Sequence, residues 1–231
     1  MSKKSYKEFR EHYCEMLELF DTVHFASSVS EQVYKRDVKI EHSELLPITN
    51  SRVKDNRRER SYLSKELKLI FIGYANPYKG LPMLEDVLLE LYSNGNRNWR
   101  LEIWGDTGIS KCEAIEYRGH YKAEELEHIF CDDVLLIVPS LWNETFSLAT
   151  LEAISFGVPT LVSSTVGAKD IVEQYDSWFI FKDRDDLKNK LLELINDKTR
   201  LCEFNKAILN NDWNHSLSAH AHKMMHLYTN N

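Results

Sequence analysis

DVLLIVPSLWNETFSLATLEAISFGVPTLVSS (133–164) runs through a strand, a loop, a helix and a second strand. DVLLIVPS (133–140) reads as a strong strand, and SLATLEAISFG (147–157) has helical periodicity and closes on Gly157. VPTLVSS (158–164) returns to strand texture. Two strands separated by a helix of about ten residues form a βαβ unit, whose strands are parallel.

The alternation continues in both directions. Upstream, LKLIFIG (67–73) is a continuous apolar run ending in Gly, as a strand buried on both faces requires. LPMLEDVLLELYSNG (81–95) is helical and stops at Gly95. WRLEIWGD (99–106) and AIEYRG (114–119) read as strands, and KAEELEHIF (122–130) as a helix. Downstream come the strand SWFIF (177–181), a helix over 184–196 and one or two helices between 200 and 229. The expectation is an α/β fold, a Rossmann-like parallel sheet with helices on both faces. Ligands of such sheets bind beyond the carboxyl ends of the strands, here the loops after residues 73, 105, 119, 139 and 163.

The chain ahead of residue 67 is different. Phe9, Tyr13, Leu17 and Phe20 mark one apolar stripe of a helix over 5–20. Val23 to Ala26 reads as a short strand and Ser28 to Lys35 as a helix. Residues 41–66 are polar and irregular, and the run RVKDNRRER (52–60) reads as a solvated linker, with an anionic acceptor or membrane surface as the alternative.

At 231 residues with 43% hydrophobic side chains, the chain has the material for a sizeable core. Its formal charge of −7 argues against a nucleic-acid partner, which would require a basic face. Cys14, Cys112, Cys131 and Cys202 are scattered without ligand-like spacing and read as reduced thiols of a cytosolic protein. The first residues lack the apolar core of a signal peptide, and no run of about 18 apolar residues suggests a membrane span.

Two loops suit a phosphate. Gly73-Tyr74-Ala75-Asn76-Pro77-Tyr78-Lys79-Gly80 follows the strand at 67–72, and Pro139-Ser140-Leu141-Trp142-Asn143-Glu144-Thr145-Phe146-Ser147 follows the strand at 133–138. Each puts backbone N–H groups and a helix N-terminus at the sheet's carboxyl edge, and Lys79 adds a full positive charge. Neither is a Walker A loop or a G-x-G-x-x-G turn. Glu144 and Glu152 suit the diols that a nucleotide sugar carries beside its phosphates, because a carboxylate accepts two hydroxyl hydrogen bonds.

PSLWNETFSLATLEAISFGVPTLVSSTVGAKDIVE resembles the signature of the family-4 retaining glycosyltransferases of the GT-B fold: Pro-Ser, then E-x-x-x-x-x-x-x-E, Gly-x-Pro and a final Glu. FIGYANPYKGL, EIWGDTG and YRGHYKAEEL match upstream pieces in order, so the resemblance covers roughly residues 67–196. It implies that Glu152 binds the ribose hydroxyls and that Glu144 contacts the donor sugar. It places Thr145, Phe146, Ser147 and Leu148 at the distal phosphate and Lys79 at the pyrophosphate beside Gly73 and Tyr74. The base lies along Gly119, His120 and Tyr121. Glu144 and Lys79 are the implied catalytic groups, with no metal and no cofactor beyond a UDP- or GDP-sugar. Tyr74 stands where many members carry an arginine, which leaves the pyrophosphate one cation short unless another group replaces it.

The resemblance also divides the chain. Residues 1–40 correspond to a crossing helix and strand, 41–66 to a polar linker, 67–199 to the donor-binding domain and 200–231 to C-terminal helices. An acceptor-binding N-terminal half, in cis or on a partner chain, is implied, with a glycan or lipid-linked acceptor. The expected place is the cytoplasm, peripheral to the inner face of a membrane. A non-catalytic nucleotide-sugar-binding module is the alternative, and an epimerase of related architecture a third reading. Asp183-x-Asp185 spells a metal-binding D-x-D but sits where carboxylates cap a helix. His215, His220, His222 and His226 crowd the C-terminus without an evident ligand set, and Tyr78 and Trp142 read as loop packing rather than a sugar platform.

Overall fold

Strand β3 (Leu67–Ile72) shows why its sequence is apolar apart from Lys68: Leu67, Leu69 and Phe71 enter one core and Ile70 and Ile72 the other, while Lys68 pairs with Asp132. The protein is described by a computed structural model over residues 3–74 and 76–229, with Lys3 and Lys4 described by their backbone alone. After β3 come α3 (Leu81–Ser93), β4 (Trp99–Trp104), β5 (Ile115–Gly119), α4 (Leu126–Ile129), β6 (Val134–Val138), α5 (Leu148–Ser155) and β7 (Thr160–Ser163). The series closes with α6 (Lys169–Tyr175), β8 (Ile180–Phe181), α7 (Arg184–Asn196), α8 (Thr199–Asn210) and α9 (Leu217–Thr229). Ahead of β3 lie α1 (Lys3–Leu17), β1 (Val23–Phe25), α2 (Ser28–Lys35) and β2 (Ser43–Leu45).

The six strands β5-β4-β3-β6-β7-β8 form one sheet, and every neighbouring pair is parallel. This is the doubly wound α/β sheet expected from the alternation. From β3 the chain winds outward to β5, then crosses back to start again at β6. The winding direction therefore reverses between β3 and β6, and a crevice opens beyond their carboxyl ends. The two loops singled out for phosphate border that crevice.

Helix ends are set by local chemistry. Ser147 caps α5 through its hydroxyl, and Asp183 caps α7 by accepting from the Asp186 N–H at 2.9 Å. Asp183 and Asp185 thus serve the start of a helix. The expected helix over 122–130 is shorter: a 3-10 turn at Ala123–Glu125 leads into the four residues of α4. Phe20 falls beyond the end of α1, and Phe9 and Tyr13 pack on one another with ring centroids 4.5 Å apart while facing solvent.

The reading of residues 52–60 as a solvated linker holds only in part: Arg52, Lys54, Asp55, Asn56, Arg58 and Glu59 are exposed, whereas Val53 and Arg60 are enclosed. Val53 and Tyr62 are buried, and Arg60 is only 4% exposed. The Arg60 guanidinium donates to the carbonyl oxygens of Phe130 (2.7 Å), Phe156 (2.9 Å) and Asp132. Arg57 donates to Ile208 and Asn211 at the C-terminal end of α8, where the helix dipole favours a cation. A run of arginines resembles a solvated segment in sequence because charge patterning does not reveal which carbonyls lack partners. Here the arginines supply donors to loop and helix-end carbonyls that secondary structure leaves over.

The upstream elements are tied to the sheet domain. β1 pairs in parallel with β2, and Ser28 donates through both its N–H and its hydroxyl to Asp170 of α6, each at 2.6 Å. Ser27 Oγ donates to the Thr145 carbonyl at 2.7 Å, which fixes this segment against the loop after β6.

Replacing Arg60 with Ala removes a donor from three carbonyls, of which Phe130 keeps a longer bond from Arg58 at 3.2 Å, and is expected to destabilise the protein by about 3 kcal/mol in urea unfolding followed by tryptophan fluorescence. Lys54→Ala, in the same run but exposed, is expected to stay within about 0.5 kcal/mol of the parent.

Candidate functional site

The first loop leaves β3 through Gly73, whose N–H donates to the Trp104 carbonyl at 2.8 Å. Asn76 then caps a 3-10 turn over Pro77–Lys79, accepting from the Tyr78 N–H at 2.9 Å. The turn ends at Gly80 with φ of +75°, in the left-handed region. A Cβ there would penetrate the Pro139 carbonyl oxygen of the second loop. Glycine at this position is what lets the two loops close on each other. The Leu141 N–H then donates to the Tyr78 carbonyl at 2.8 Å, and the Tyr78 and Trp142 rings stack at 5.8 Å with planes 16° apart. That stack is the loop packing expected of the pair, although both rings remain substantially exposed.

Closure brings Lys79 Nζ to within 2.8 Å of Glu144 Oε1. The same oxygen accepts from the Ser140 hydroxyl. Ser163 and Thr165 both donate to the Ser140 carbonyl at 2.7 Å. The Glu144 backbone is held on both sides, its N–H on the Thr165 carbonyl (2.9 Å) and its carbonyl on the Gly167 N–H (3.0 Å). A substituent on Gly167 would strike the Thr145 carbonyl, so this glycine too is set by a close approach.

Lys79, Glu144, Thr145, Phe146, Ser147 and Leu148 line a single cleft of about 560 Å³, joined by Ser140, Trp142 and, from the upstream segment, Ile48. That volume is on the scale of a small-molecule site. At its floor lies the N-terminus of α5, whose unpaired amides and dipole favour an anion.

Glu152 lies one turn further along α5, roughly 6 Å from the helix start at 1.5 Å per residue. It is 4% exposed, and its Oε1 is buried without a hydrogen-bond partner. The Arg52 guanidinium approaches that oxygen at 3.1 Å, close enough for charge pairing but without hydrogen-bond alignment. The Asn50 amide nitrogen is likewise buried and lies beside the same carboxyl without an aligned hydrogen bond. Burial pushes the Glu152 carboxyl above the usual range, while Arg52 and Asn50 pull it down. Tyr121 is close enough for its phenol to be pushed up, by burial first and then by the Glu152 charge.

The site residues expected from sequence therefore fall into two groups. Lys79, Glu144 and residues 145–148 share the cleft, and Glu152 and Tyr121 form a second cluster behind it. Gly119 has φ of +75° and accepts from the Gly105 N–H at 2.8 Å, while His120 and Tyr74 are exposed and do not line the cleft. Sequence reasoning missed Ser140, Asn50 and Arg52. Ser140 was visible as the Ser of the Pro-Ser start, whereas the charge run in residues 41–66 pointed at most to an anionic surface and not to Glu152.

Comparison with known proteins shows the family of the chain. Residues 53–211 match the family described as glycosyl transferases group 1. The chain belongs to that family. Over 146 residues it is 25% identical to an uncharacterised 41.2 kDa protein in the cps region of Klebsiella pneumoniae, covering 61% of this chain and 39% of that protein. Its fold is similar to the apo form of the lipopolysaccharide outer core galactosyltransferase WaaB: TM-score 0.69, 18% identity, 91% of this chain and 62% of that one. It is also similar to Anabaena HepE in complex with UDP and glucose: TM-score 0.73, 14% identity, 93% of this chain and 65% of that one. The chain thus spans less than two thirds of the length of each of these relatives. Among the described residues, no helix is long and apolar enough to cross a membrane.

Gly80→Ala is expected to lower the thermal midpoint by about 5–10 °C, corresponding to about 2–3 kcal/mol, because the new Cβ forces the two loops apart. Calorimetry checks this, and an unchanged midpoint would mean that the loops do not depend on this approach.

Proposed function

We propose that this chain is the donor-binding half of a retaining glycosyltransferase that takes a sugar from a UDP- or GDP-sugar to a glycan or lipid-linked acceptor. The observation that carries the reading is the Lys79–Glu144 pair at the N-terminus of α5, with a second carboxylate, Glu152, buried and unsaturated one turn behind. One ligand class asks for both: a pyrophosphate for the lysine and the helix amides, and hydroxyls for the two carboxylates.

In this reading Lys79 exchanges Glu144 for the pyrophosphate, and the amides of Thr145, Phe146, Ser147 and Leu148 hold the distal phosphate. Glu144, released, accepts from the sugar hydroxyls, and Glu152 accepts from the ribose diol. Gly73 and Tyr74 border the phosphates, and Gly119, His120 and Tyr121 flank the base. In transfer the bond from the anomeric carbon to the phosphate oxygen breaks on the face where the acceptor oxygen attacks. The acceptor proton passes to the departing diphosphate. Lys79 and the α5 dipole stabilise the charge that develops there, which is where preorganised groups lower a barrier. The reaction in this reading needs no metal and no separate cofactor.

The relatives' greater length supports an acceptor-binding N-terminal half, in cis or in trans, with residues 1–40 as the crossing segment. The cps-region relative fits polysaccharide biosynthesis on the inner face of a membrane. A second reading, a non-catalytic nucleotide-sugar-binding module, is favoured by one observation: Tyr74 occupies the arginine position and is exposed.

A thermal-shift panel with UDP, GDP, ADP and CMP tests donor binding. One diphosphate at about 100 times its dissociation constant is expected to stabilise the protein by roughly 2.7 kcal/mol, or about 5–10 °C, and Glu152→Ala is expected to abolish the shift. No shift with any nucleotide overturns the reading of this chain as a donor site. Binding without turnover once an N-terminal half is supplied favours the non-catalytic module.

A further inference from the structure

Glu152 is held in an unusual way for a carboxylate that is nine-tenths or more buried. Among the described residues its one ion-pair partner is Arg52, and that arginine comes from the irregular segment ahead of the sheet rather than from the sheet domain's own loops. The contact is also lopsided. Glu152 is almost fully enclosed, whereas half of the Arg52 side chain stays in water. The guanidinium therefore keeps most of its hydration while its charge reaches the buried oxygen, which limits the desolvation cost that makes enclosed ion pairs weak. It does so at 3.1 Å without taking up the oxygen's hydrogen-bonding capacity. Asn50, two residues earlier, brings a buried amide beside the same carboxyl without an aligned hydrogen bond.

We propose that Arg52 is a positioning residue of the donor site, whose guanidinium holds the buried Glu152 carboxylate as an anion with Oε1 free to accept from a nucleotide's ribose hydroxyls. The proposal rests on the assignment of Glu152 to the ribose and adds a group outside the sheet domain to the donor site. A protonated Glu152 loses half its accepting capacity, so an unpaired, buried carboxyl would bind a diol only at raised pH. The groups facing Glu152 are Arg52 and Asn50 from the upstream segment and the Tyr121 phenol from the loop after β5. Tyr121 is neutral near pH 7, its phenol being pushed up further still, so Arg52 supplies the only positive charge in this set.

Two measurements test the proposal. The first needs no ligand: the Glu152 carboxyl carbon is titrated by NMR in the parent, Arg52→Ala and Arg52→Lys proteins, with Glu152→Gln to assign the signal. Arg52→Ala is expected to move the midpoint up by about one pH unit or more, and Arg52→Lys to restore most of the difference. An unchanged midpoint in Arg52→Ala overturns the proposal. The second is calorimetric titration between pH 5.5 and 8.5 with whichever of UDP and GDP stabilises the parent. Below the new midpoint, affinity of Arg52→Ala is expected to fall about tenfold per pH unit and to recover toward the parent value at high pH. In a Glu152→Gln background, removing Arg52 is expected to have no pH-dependent effect. A loss of affinity equal at every pH, and retained in the Glu152→Gln background, would make Arg52 a direct ligand contact and overturn the proposal. If neither nucleotide binds the parent, the donor-site reading fails, and the carboxyl titration still decides whether Arg52 holds Glu152.

Discussion

The approach of two loops at the centre of the sheet is the constraint on which the rest of the site depends. β3 and β6 lie side by side where the winding reverses, so their loops leave in opposite directions and must be drawn back together over the crevice. Gly80 makes that possible by presenting no side chain to the Pro139 carbonyl. The Leu141–Tyr78 hydrogen bond and the Tyr78–Trp142 stack then hold the loops closed. Only after that does Lys79, on one loop, meet Glu144, on the other, above the start of α5.

The ion pair at the mouth of the cleft and the carboxylate behind it solve different problems. Lys79 and Glu144 neutralise each other in a partly open cleft, where the lysine side chain still reaches water. Glu152 sits where water does not reach it, so its charge depends on what the surrounding protein provides. The helix N-terminus helps only at short range, because the dipole's influence fades within the first turn. Groups from elsewhere in the chain supply the rest, the Arg52 charge first and then the Asn50 amide.

The same chemistry explains the arginines that follow. Arg57 and Arg60 donate to carbonyls at the end of α8 and beside α4 and α5, and Tyr62 donates to the Val134 carbonyl at 2.7 Å. The segment 50–62 therefore runs over the sheet domain as a strap of donors, satisfying acceptors that helices and strands leave unpaired. A strap of this kind places Asn50 and Arg52 beside Glu152 as a consequence of the binding of its downstream half.

The sequence alone determined the sheet, its parallel sense and the loops that matter, because those follow from short-range rules. A strand enclosed on both faces must be largely apolar, as VLLIV is and LKLIFIG is apart from Lys68, and a helix between two such strands enforces their direction. The spacing of Glu144, in the loop ahead of α5, from Glu152, on α5 itself, was legible for the same reason. Tertiary structure alone decided which charges meet. Lys79 and Glu144 are 65 positions apart, and Arg60 reaches a carbonyl 70 positions away. The arginines of residues 52–60 look solvated because a charged side chain carries no local mark of its partner. Whether it stays in water or completes a buried site depends on where the fold leaves a carboxylate or carbonyl without one.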